Sequence, residues 1–154
     1  MKKSVQPKIH ISVRRQEISL KSGRKKLAAY PVSTSRFGLG SKEGSLKTPT
    51  GRFRISEKIG AGMPVGTIFK SRRPVKATKK ALREEDLIMT RILWLEGLDR
   101  GNANTHDRFI YIHGTNHEEQ IGEPASHGCV RMRNADLLEL FELVEIGTPV
   151  VIRA

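Results

Sequence analysis

The sequence predicts a single, mainly β domain with a helix in its C-terminal half. Short segments of alternating apolar and polar residues recur along the chain, as is typical of half-buried strands. One later segment spaces its apolar residues as an amphipathic helix does. Because 154 residues suit one hydrophobic core, we expect residues 1–154 to form one domain, with residues 1–8 as a flexible basic tail.

The N-terminal half predicts a β-meander that leads into an ordered loop. Apolar residues alternate from Ile9 to Val13 and again from Ile18 to Leu20, and a third strand is predicted at 27–32. The segment 33–51 is rich in glycine and ends in a Thr-Pro-Thr-Gly turn, so it is predicted to be a loop. Alternation returns at 52–55 and predicts a fourth strand.

The segment from Lys58 to Arg83 concentrates positive charge, with eight basic residues and no acidic one. Such runs are usually solvated, which favours an exposed loop. The alternative interpretation is a lid or rim that holds an anionic substrate. Both stay open from the sequence.

The C-terminal half predicts the centre of the core and one helix. Continuous apolar runs at 87–95 and 109–112 favour strands covered on both faces. Asn134 is predicted as the N-cap of the helix and Gly147 as its C′ residue. A closing strand follows at 150–152. The helix carries Asp136 in its first turn and an apolar face of Leu137, Leu140, Phe141 and Val144.

The composition excludes several classes of protein. With 28 Lys and Arg against 16 Asp and Glu, the net charge of +12 attracts polyanions such as nucleic acid, anionic lipid or acidic polysaccharide. No nucleic-acid motif is visible, so no specific nucleic-acid partner is predicted. No apolar run reaches the roughly 20 residues of a membrane span. The N-terminal segment lacks the apolar stretch of a signal peptide, which leaves a cytoplasmic location open.

Residues 111–134 hold three of the five histidines and the only cysteine. A thiol with a free pKa of about 8.5 needs a base to become a nucleophilic thiolate, and histidine can act as that base. His113 and His127 are both candidates, since His127 lies two residues from Cys129 and faces the same side if the segment is extended. Backbone N–H groups at Gly128 and Cys129 can receive a developing oxyanion.

A zinc site is the alternative use of these side chains, because their donor atoms suit zinc. The four candidate ligands are His113, His117, His127 and Cys129. The i, i+4 spacing of His113 and His117 helps only on a helix, whereas Asn116 and the neighbouring glycines favour a loop. We therefore predict neither a metal nor an organic cofactor.

A histidine at the end of a strand, followed after a spacer by Ser-His-Gly-Cys, occurs here as His113 and Ser126–Cys129. With further matching landmarks at 30–34, 48–53 and 112–115, the chain resembles the catalytic domain of the L,D-transpeptidases, the YkuD-type family that cross-links peptidoglycan. The resemblance covers about residues 9–152. It implies a β-sandwich or barrel with the C-terminal helix beside the active site.

The resemblance implies a role for each residue of this pattern. Cys129 is expected to be the nucleophile and His113 the general base, with the Gly114 carbonyl orienting the imidazole. The family's common Asn two positions after the cysteine is Arg131 here, and we expect its guanidinium to bind carboxylate or carbonyl groups of the substrate. The other expected contacts are oxyanion donors at Gly128 and Cys129 and substrate-binding side chains at Ser126 and His127.

By the same resemblance the substrate is a peptidoglycan stem peptide. The expected reaction transfers an acyl group from a tetrapeptide stem, through a thioester, to a second stem and forms a 3,3 cross-link. Attack by water would instead give L,D-carboxypeptidase or amidase-type hydrolysis, and a non-enzymatic basic binding module is a third alternative. Carbapenem β-lactams are expected covalent inhibitors. The family implies a location in the cell envelope or periplasm, and the positive charge suits contact with an anionic cell wall or membrane surface.

Overall fold

Residues 6–154, the part of the chain that the computed structural model describes, fold into ten strands and two helices. The strands are β1 (Lys8–Ser12), β2 (Glu17–Ser22), β3 (Lys25–Ser33), β4 (Gly51–Ile59), β5 (Ile68–Lys70), β6 (Arg73–Val75), β7 (Ile88–Gly97), β8 (Tyr111–Gly114), β9 (Val130–Met132) and β10 (Pro149–Arg153). The helices are α1 (Lys79–Glu84) and α2 (Asn134–Leu143), and two short 3₁₀ turns cover Arg100–Asn102 and Glu118–Gln120.

The strands form one sheet that closes on itself. Eight strands follow the order β4-β10-β1-β2-β3-β9-β8-β7, and β4 also pairs with β7 to complete the ring. The hairpin of β5 and β6 pairs with the first residues of β7. Most pairs are antiparallel, but β1 with β10 and β8 with β9 are parallel. The prediction of a mainly β sandwich or barrel with a C-terminal helix is confirmed.

The main core forms from alternate residues of the strands. Ile9 and Ile11 of β1 lie opposite Val150 and Ile152 of β10, and all four side chains are buried. Phe53 of β4 lies opposite Val150 and is also fully buried. Helix α2 contributes Leu137, Leu140 and Phe141 to the same cluster. The predicted meander, the loop between β3 and β4, and the closing strand are confirmed.

Strand β7 is buried on both faces, as its continuous apolar sequence predicts. Leu93 and Leu95 belong to the main core, whereas Ile92 and Trp94 point to the opposite face. There they form a second cluster together with Phe69 of β5 and Tyr111 of β8, packed against Cys129. The second cluster therefore lies directly beside the predicted nucleophile.

The basic segment 58–83 is largely exposed, as its charge favours, but it is not only a loop. It contains the β5–β6 hairpin, joined by a two-residue turn in which Ser71 and Arg72 both have positive φ, and the short helix α1. The Arg72 guanidinium lies 4.8 Å from the Trp94 ring centroid and donates a 3.2 Å hydrogen bond to the Tyr111 hydroxyl. The apolar residues of β5 and these aromatic contacts fold the segment over the second cluster.

Both predicted ends of α2 are wrong. Arg133 occupies the N-cap position without a side-chain hydrogen bond, and Asn134 is the first helical residue. The C-cap is Val144, three residues before Gly147. The last carbonyls are instead satisfied by Lys58 of β4, whose ammonium donates to Phe141 O at 2.6 Å and Val144 O at 2.7 Å. A cation is favourable at this negative end of the helix dipole.

Of the predicted tail, residues 1–5 lie outside the described part of the chain, and Lys8 is already the first residue of β1. In the described part, neither helix has the length and apolar character needed to cross a membrane.

Candidate active site

Two adjacent parallel strands bring the predicted catalytic pair to one face of the sheet. Ile112 of β8 lies opposite Val130 of β9, and both point into the main core. Because side chains alternate along extended backbone, His113 and Cys129, each next to one of these residues, point to the other face. The contact of Cys129 with the second cluster is consistent with this orientation.

Cys129 is half-buried, immediately before β9. Its sulfur accepts a hydrogen bond from the Tyr111 backbone N–H at 3.3 Å and donates one to the Phe109 carbonyl at 3.4 Å. Removal from water raises the pKa of the thiol to about 11, although the Tyr111 amide acts in the opposite direction. The resting group is therefore a neutral thiol, and it needs a base to react.

His113 is buried on β8, with 3% of its surface exposed. Its Nδ1 lies 2.5 Å from the Gly114 carbonyl oxygen. Because a carbonyl only accepts, this contact assigns the proton to Nδ1 and leaves Nε2 free to accept one. Burial lowers the pKa of His113, opposed by the hydrogen bond to Gly114 and the charge of Asp86. The imidazole is thus neutral at pH 7 and available as a base.

The turn before Cys129 is built by Ser126 and Gly128. Ser126 is buried, and its hydroxyl donates to the Cys129 carbonyl at 2.6 Å. The Gly128 N–H, a predicted oxyanion donor, makes a long 3.3 Å hydrogen bond to that same hydroxyl. Gly128 has φ of +124°, and Thr48 donates to its carbonyl at 3.0 Å. Ser126 therefore organises the turn, where the sequence predicts a substrate contact.

Arg131, a predicted substrate contact, is held by protein partners in the structure. The side chain is only 2% exposed. Its Nη2 lies 2.6 Å from Asp86 Oδ2, and its Nη1 donates to Gln120 Oε1 at 2.7 Å. Both terminal nitrogens thus have protein partners where a substrate contact is predicted.

Asp86, just before β7, is a site residue that the sequence reasoning missed. Its Oδ2 contacts Arg131 and also lies 3.1 Å from Nδ1 of His127, which is exposed. Burial of the Asp86 carboxyl favours its neutral form, but the charge and hydrogen bond of Arg131 outweigh this effect and lower its pKa. No sequence motif marks Asp86 as a site residue. The pairing of Met89 with Gly114 brings the start of β7, and Asp86 with it, to the end of β8.

The four candidate zinc ligands have separate partners. His113 contacts Gly114 and His127 contacts Asp86, while His117 Nε2 lies 2.9 Å from the Glu85 carbonyl. Among residues 6–154, no group of three His, Cys, Asp or Glu side chains is arranged to hold a metal ion.

Beside Asp86, a cavity of about 490 Å³ lies between the β5–β6 hairpin, α1 and β7. Its lining combines apolar and charged side chains, among them Phe69, Lys70, Val75, Lys76, Ala81 and Ile88. The segment 68–86, which we call the lid, therefore borders both this cavity and the residues around Cys129.

Comparison with known proteins agrees with this geometry. A family model described as the L,D-transpeptidase catalytic domain, YkuD, matches residues 6–152. The chain belongs to the YkuD family. The resemblance found in the sequence is therefore confirmed, and the family's domain accounts for nearly the whole chain.

Curated relatives in this family match over shorter regions. The putative L,D-transpeptidase YqjB of Bacillus subtilis is 46% identical over 48 residues, which cover 31% of this chain and 27% of the relative. The probable L,D-transpeptidase YbiS of Escherichia coli is 56% identical over 43 residues, which cover 28% of this chain and 14% of the relative. The matched regions thus span less than a third of each relative.

Solved structures of L,D-transpeptidases match nearly the whole chain. L,D-transpeptidase 3 from Mycobacterium tuberculosis, in complex with a faropenem-derived adduct, superposes with a TM-score of 0.62 at 16% identity, over 96% of this chain and 61% of that one. The L,D-transpeptidase from Mycobacterium smegmatis gives a TM-score of 0.59 at 17% identity, over 97% of this chain and 59% of that one. This chain thus has the fold of a domain that makes up about three fifths of those proteins.

Proposed function

We propose that this domain is a cysteine-dependent L,D-transpeptidase that acts on the tetrapeptide stems of peptidoglycan and forms 3,3 cross-links. The observation that carries the proposal is the pairing of strands that turns Cys129 and His113 to one face, with the His113 ring held by the Gly114 carbonyl. Membership of the YkuD family supports the same chemistry.

The first half-reaction forms a thioester. His113 Nε2 takes the thiol proton as the Cys129 sulfur attacks the carbonyl that precedes the terminal D-Ala. The Gly114 carbonyl stabilises the imidazolium that results, because it accepts from Nδ1. Collapse of the tetrahedral intermediate breaks the C–N bond, and the imidazolium returns its proton to the amine of D-Ala. Both groups are neutral at rest, so charge separation occurs only as the bond forms.

The second half-reaction releases the acyl group. The side-chain amine of a second stem attacks the thioester, its proton passes to His113, and the Cys129 thiol is restored. Water in place of the amine gives L,D-carboxypeptidase activity by the same steps. In the proposed complex, Lys70 and Lys76 of the lid bind carboxylate groups of the stem, although Glu85 and Asp86 line the same cavity.

A groove distant from Cys129 supports electrostatic contact with an anionic surface. The groove, about 340 Å³ in volume, lies on β1, β2 and β10. Its positively charged lining residues are Arg14, Arg15, Lys21, Lys26 and Arg153, and His10 and Glu17 lie beside them. Burial and the charges of Lys21, Lys8 and Arg153 lower the pKa of His10. The proposed partner is the anionic cell wall or membrane surface, and the proposed location is accordingly the cell envelope.

Acylation by a carbapenem tests the proposal. Solved family structures named for an imipenem complex and a faropenem-derived adduct support β-lactams as ligands of the proposed site. Intact mass spectrometry should give one adduct that maps to Cys129, and Cys129→Ala should abolish both the adduct and D-Ala release from a tetrapeptide. D-Ala release that persists in Cys129→Ala would refute the proposal. The ratio of cross-linked to hydrolysed product distinguishes transfer from carboxypeptidase activity.

A further inference from the structure

One carboxylate oxygen joins two residues that flank the proposed nucleophile. Asp86 Oδ2 lies 3.1 Å from Nδ1 of His127, which is two positions before Cys129, and 2.6 Å from Nη2 of Arg131, which is two positions after it. Asp86 itself belongs to the lid, between α1 and β7. The lid and both sides of the Cys129 turn therefore meet at this one atom.

The contact with Arg131 fixes the carboxylate in place. A guanidinium that is 2% exposed needs a counterion, because burying an unpaired charge is costly. Asp86 is the only acid that pairs with Arg131 among the described residues, since Gln120 is neutral and the Nε atom has no partner there. The short ion pair leaves Asp86 little freedom to move.

The contact with His127 orders an exposed side chain. The imidazole is about half exposed, and its other ring contact is Phe37, whose centroid lies 6.0 Å away at a tilt of 47°. A carboxylate that accepts from Nδ1–H selects that tautomer and turns Nε2 outward. His127 thereby gains an orientation that the turn alone does not give it.

We propose that Asp86 is a positioning residue of the active site. It is anchored by Arg131, holds the His127 imidazole with Nε2 facing the substrate, and ties the lid to the turn that carries Cys129. This inference rests on the proposed function, because its expected effect is measured as the rate at which Cys129 is acylated.

Two variants test the tautomer and the rate. In Asp86→Ala, ¹⁵N NMR of the ring nitrogens should show His127 losing its preference for the Nδ1–H tautomer, and acylation by imipenem should slow about 10- to 100-fold. Glu84→Ala removes an exposed carboxylate two residues away on α1 and should change neither measurement. An Asp86→Ala protein with the wild-type tautomer and the wild-type acylation rate would overturn the proposal.

The effect of Asp86→Ala in two variant backgrounds distinguishes positioning from a purely structural role. Asp86→Ala leaves the buried charge of Arg131 unpaired and can prevent folding. Arg131→Met removes that charge, so the double variant Asp86→Ala with Arg131→Met can be measured even if Asp86→Ala alone fails to fold. Because Arg131 anchors the carboxylate, Asp86→Ala should slow acylation less in the Arg131→Met background than in the wild type, and in a His127→Ala background it should add no further loss. Full additivity with either Arg131→Met or His127→Ala would contradict positioning. The tautomer is measured without turnover, so it separates failure of this inference from failure of the proposed function.

Discussion

A methyl group at Gly114 should disturb the base of the proposed site through a contact that the structure defines. A Cβ built on Gly114 would lie 2.1 Å from Asn134 Oδ1 and 2.6 Å from the Met89 carbonyl oxygen. The amide can rotate away, but the carbonyl belongs to the strand that pairs with β8. Gly114→Ala must therefore shift backbone as well as a side chain.

The expected loss of stability comes from overpacking and from the hydrogen bonds of Asn134 that the shift breaks. Overpacking of this kind costs about 1–3 kcal/mol. Asn134 also makes a 2.8 Å hydrogen bond to the Thr115 carbonyl and a 2.6 Å hydrogen bond with the Thr90 hydroxyl, each worth about 1 kcal/mol. We expect the free energy of unfolding to fall by about 3 kcal/mol, which for a domain of this size lowers Tm by about 10 °C.

The catalytic effect follows from the same movement. The Gly114 carbonyl holds Nδ1 of His113 at 2.5 Å, so a shift of the strand turns the imidazole. Misplacement of a reacting group by about 1 Å can cost about 100-fold in rate. We expect Gly114→Ala to slow acylation by imipenem between about 10- and 100-fold.

Thermal unfolding and the acylation rate, measured on the same preparations, check both numbers. Gly101→Ala is the matched control, because a Cβ there meets nothing within 4 Å and the backbone is not left-handed. Asn134→Ala combined with Gly114→Ala removes the nearer contact but also both Asn134 hydrogen bonds, so it should restore neither the stability nor the rate while the Met89 carbonyl still opposes the added Cβ. A Gly114→Ala protein that melts and reacts like the wild type would refute the reasoning.

Four further predictions come from other parts of the molecule. Because burial lowers the pKa of His113 below its usual 6.5 and raises that of the thiol, acylation should be level near pH 7 and fall only below pH 6.5, as measured by stopped-flow rates. Phe53→Ala should lower the free energy of unfolding by about 3–5 kcal/mol in urea titrations, because the ring is fully buried. Lys58→Met should cost about 1–3 kcal/mol in the same assay, because two carbonyls at the end of α2 lose their donor. Lys21→Glu with Arg153→Glu should weaken binding to anionic lipid vesicles at least about tenfold, since both residues line the basic groove.

Exposed positions supply the controls for these variants. Leu98→Ala and Lys42→Met should leave the free energy of unfolding within about 0.5 kcal/mol of the wild type. Lys80→Glu, on α1, should weaken vesicle binding far less than the groove variant. Equal effects at Lys80 and in the groove would mean that net charge alone governs binding. An acylation rate that already falls above pH 6.5 would contradict the lowered pKa of His113.

The sequence predicts those features that depend on neighbouring residues. Alternation locates β1 to β4, and the continuous apolar run 87–95 predicts the two-sided burial of β7. The resemblance of His113 and Ser126–Cys129 to a family motif identifies the proposed catalytic residues, whereas strand β9 and its parallel pairing with β8 were not predicted. Local pattern therefore gives the fold class, and the family resemblance gives the proposed catalytic pair.

Features that depend on contacts between residues far apart in the chain could not be predicted from the sequence. Lys58 is separated from the carbonyls it satisfies by more than eighty positions, and local signals at α2 favoured Gly147 instead. Asp86 reaches Arg131 across 45 positions and belongs to a run of three acids that carries no motif. The closed sheet creates these contacts, since it brings the beginning of β7 to the end of β8. Only the strand pairing could have indicated them.

Burial determines the chemistry of the proposed pair more than charge does. A basic protein is expected to favour the thiolate, yet burial raises the pKa of Cys129 to about 11, despite the nearby Arg131 and Arg108. Burial also favours a neutral His113. Both shifts therefore disfavour a thiolate–imidazolium pair at rest, and in the proposed mechanism the proton moves as the sulfur attacks a carbonyl. The low dielectric that disfavours the resting ion pair also strengthens the interaction between Gly114 and the imidazolium formed during attack.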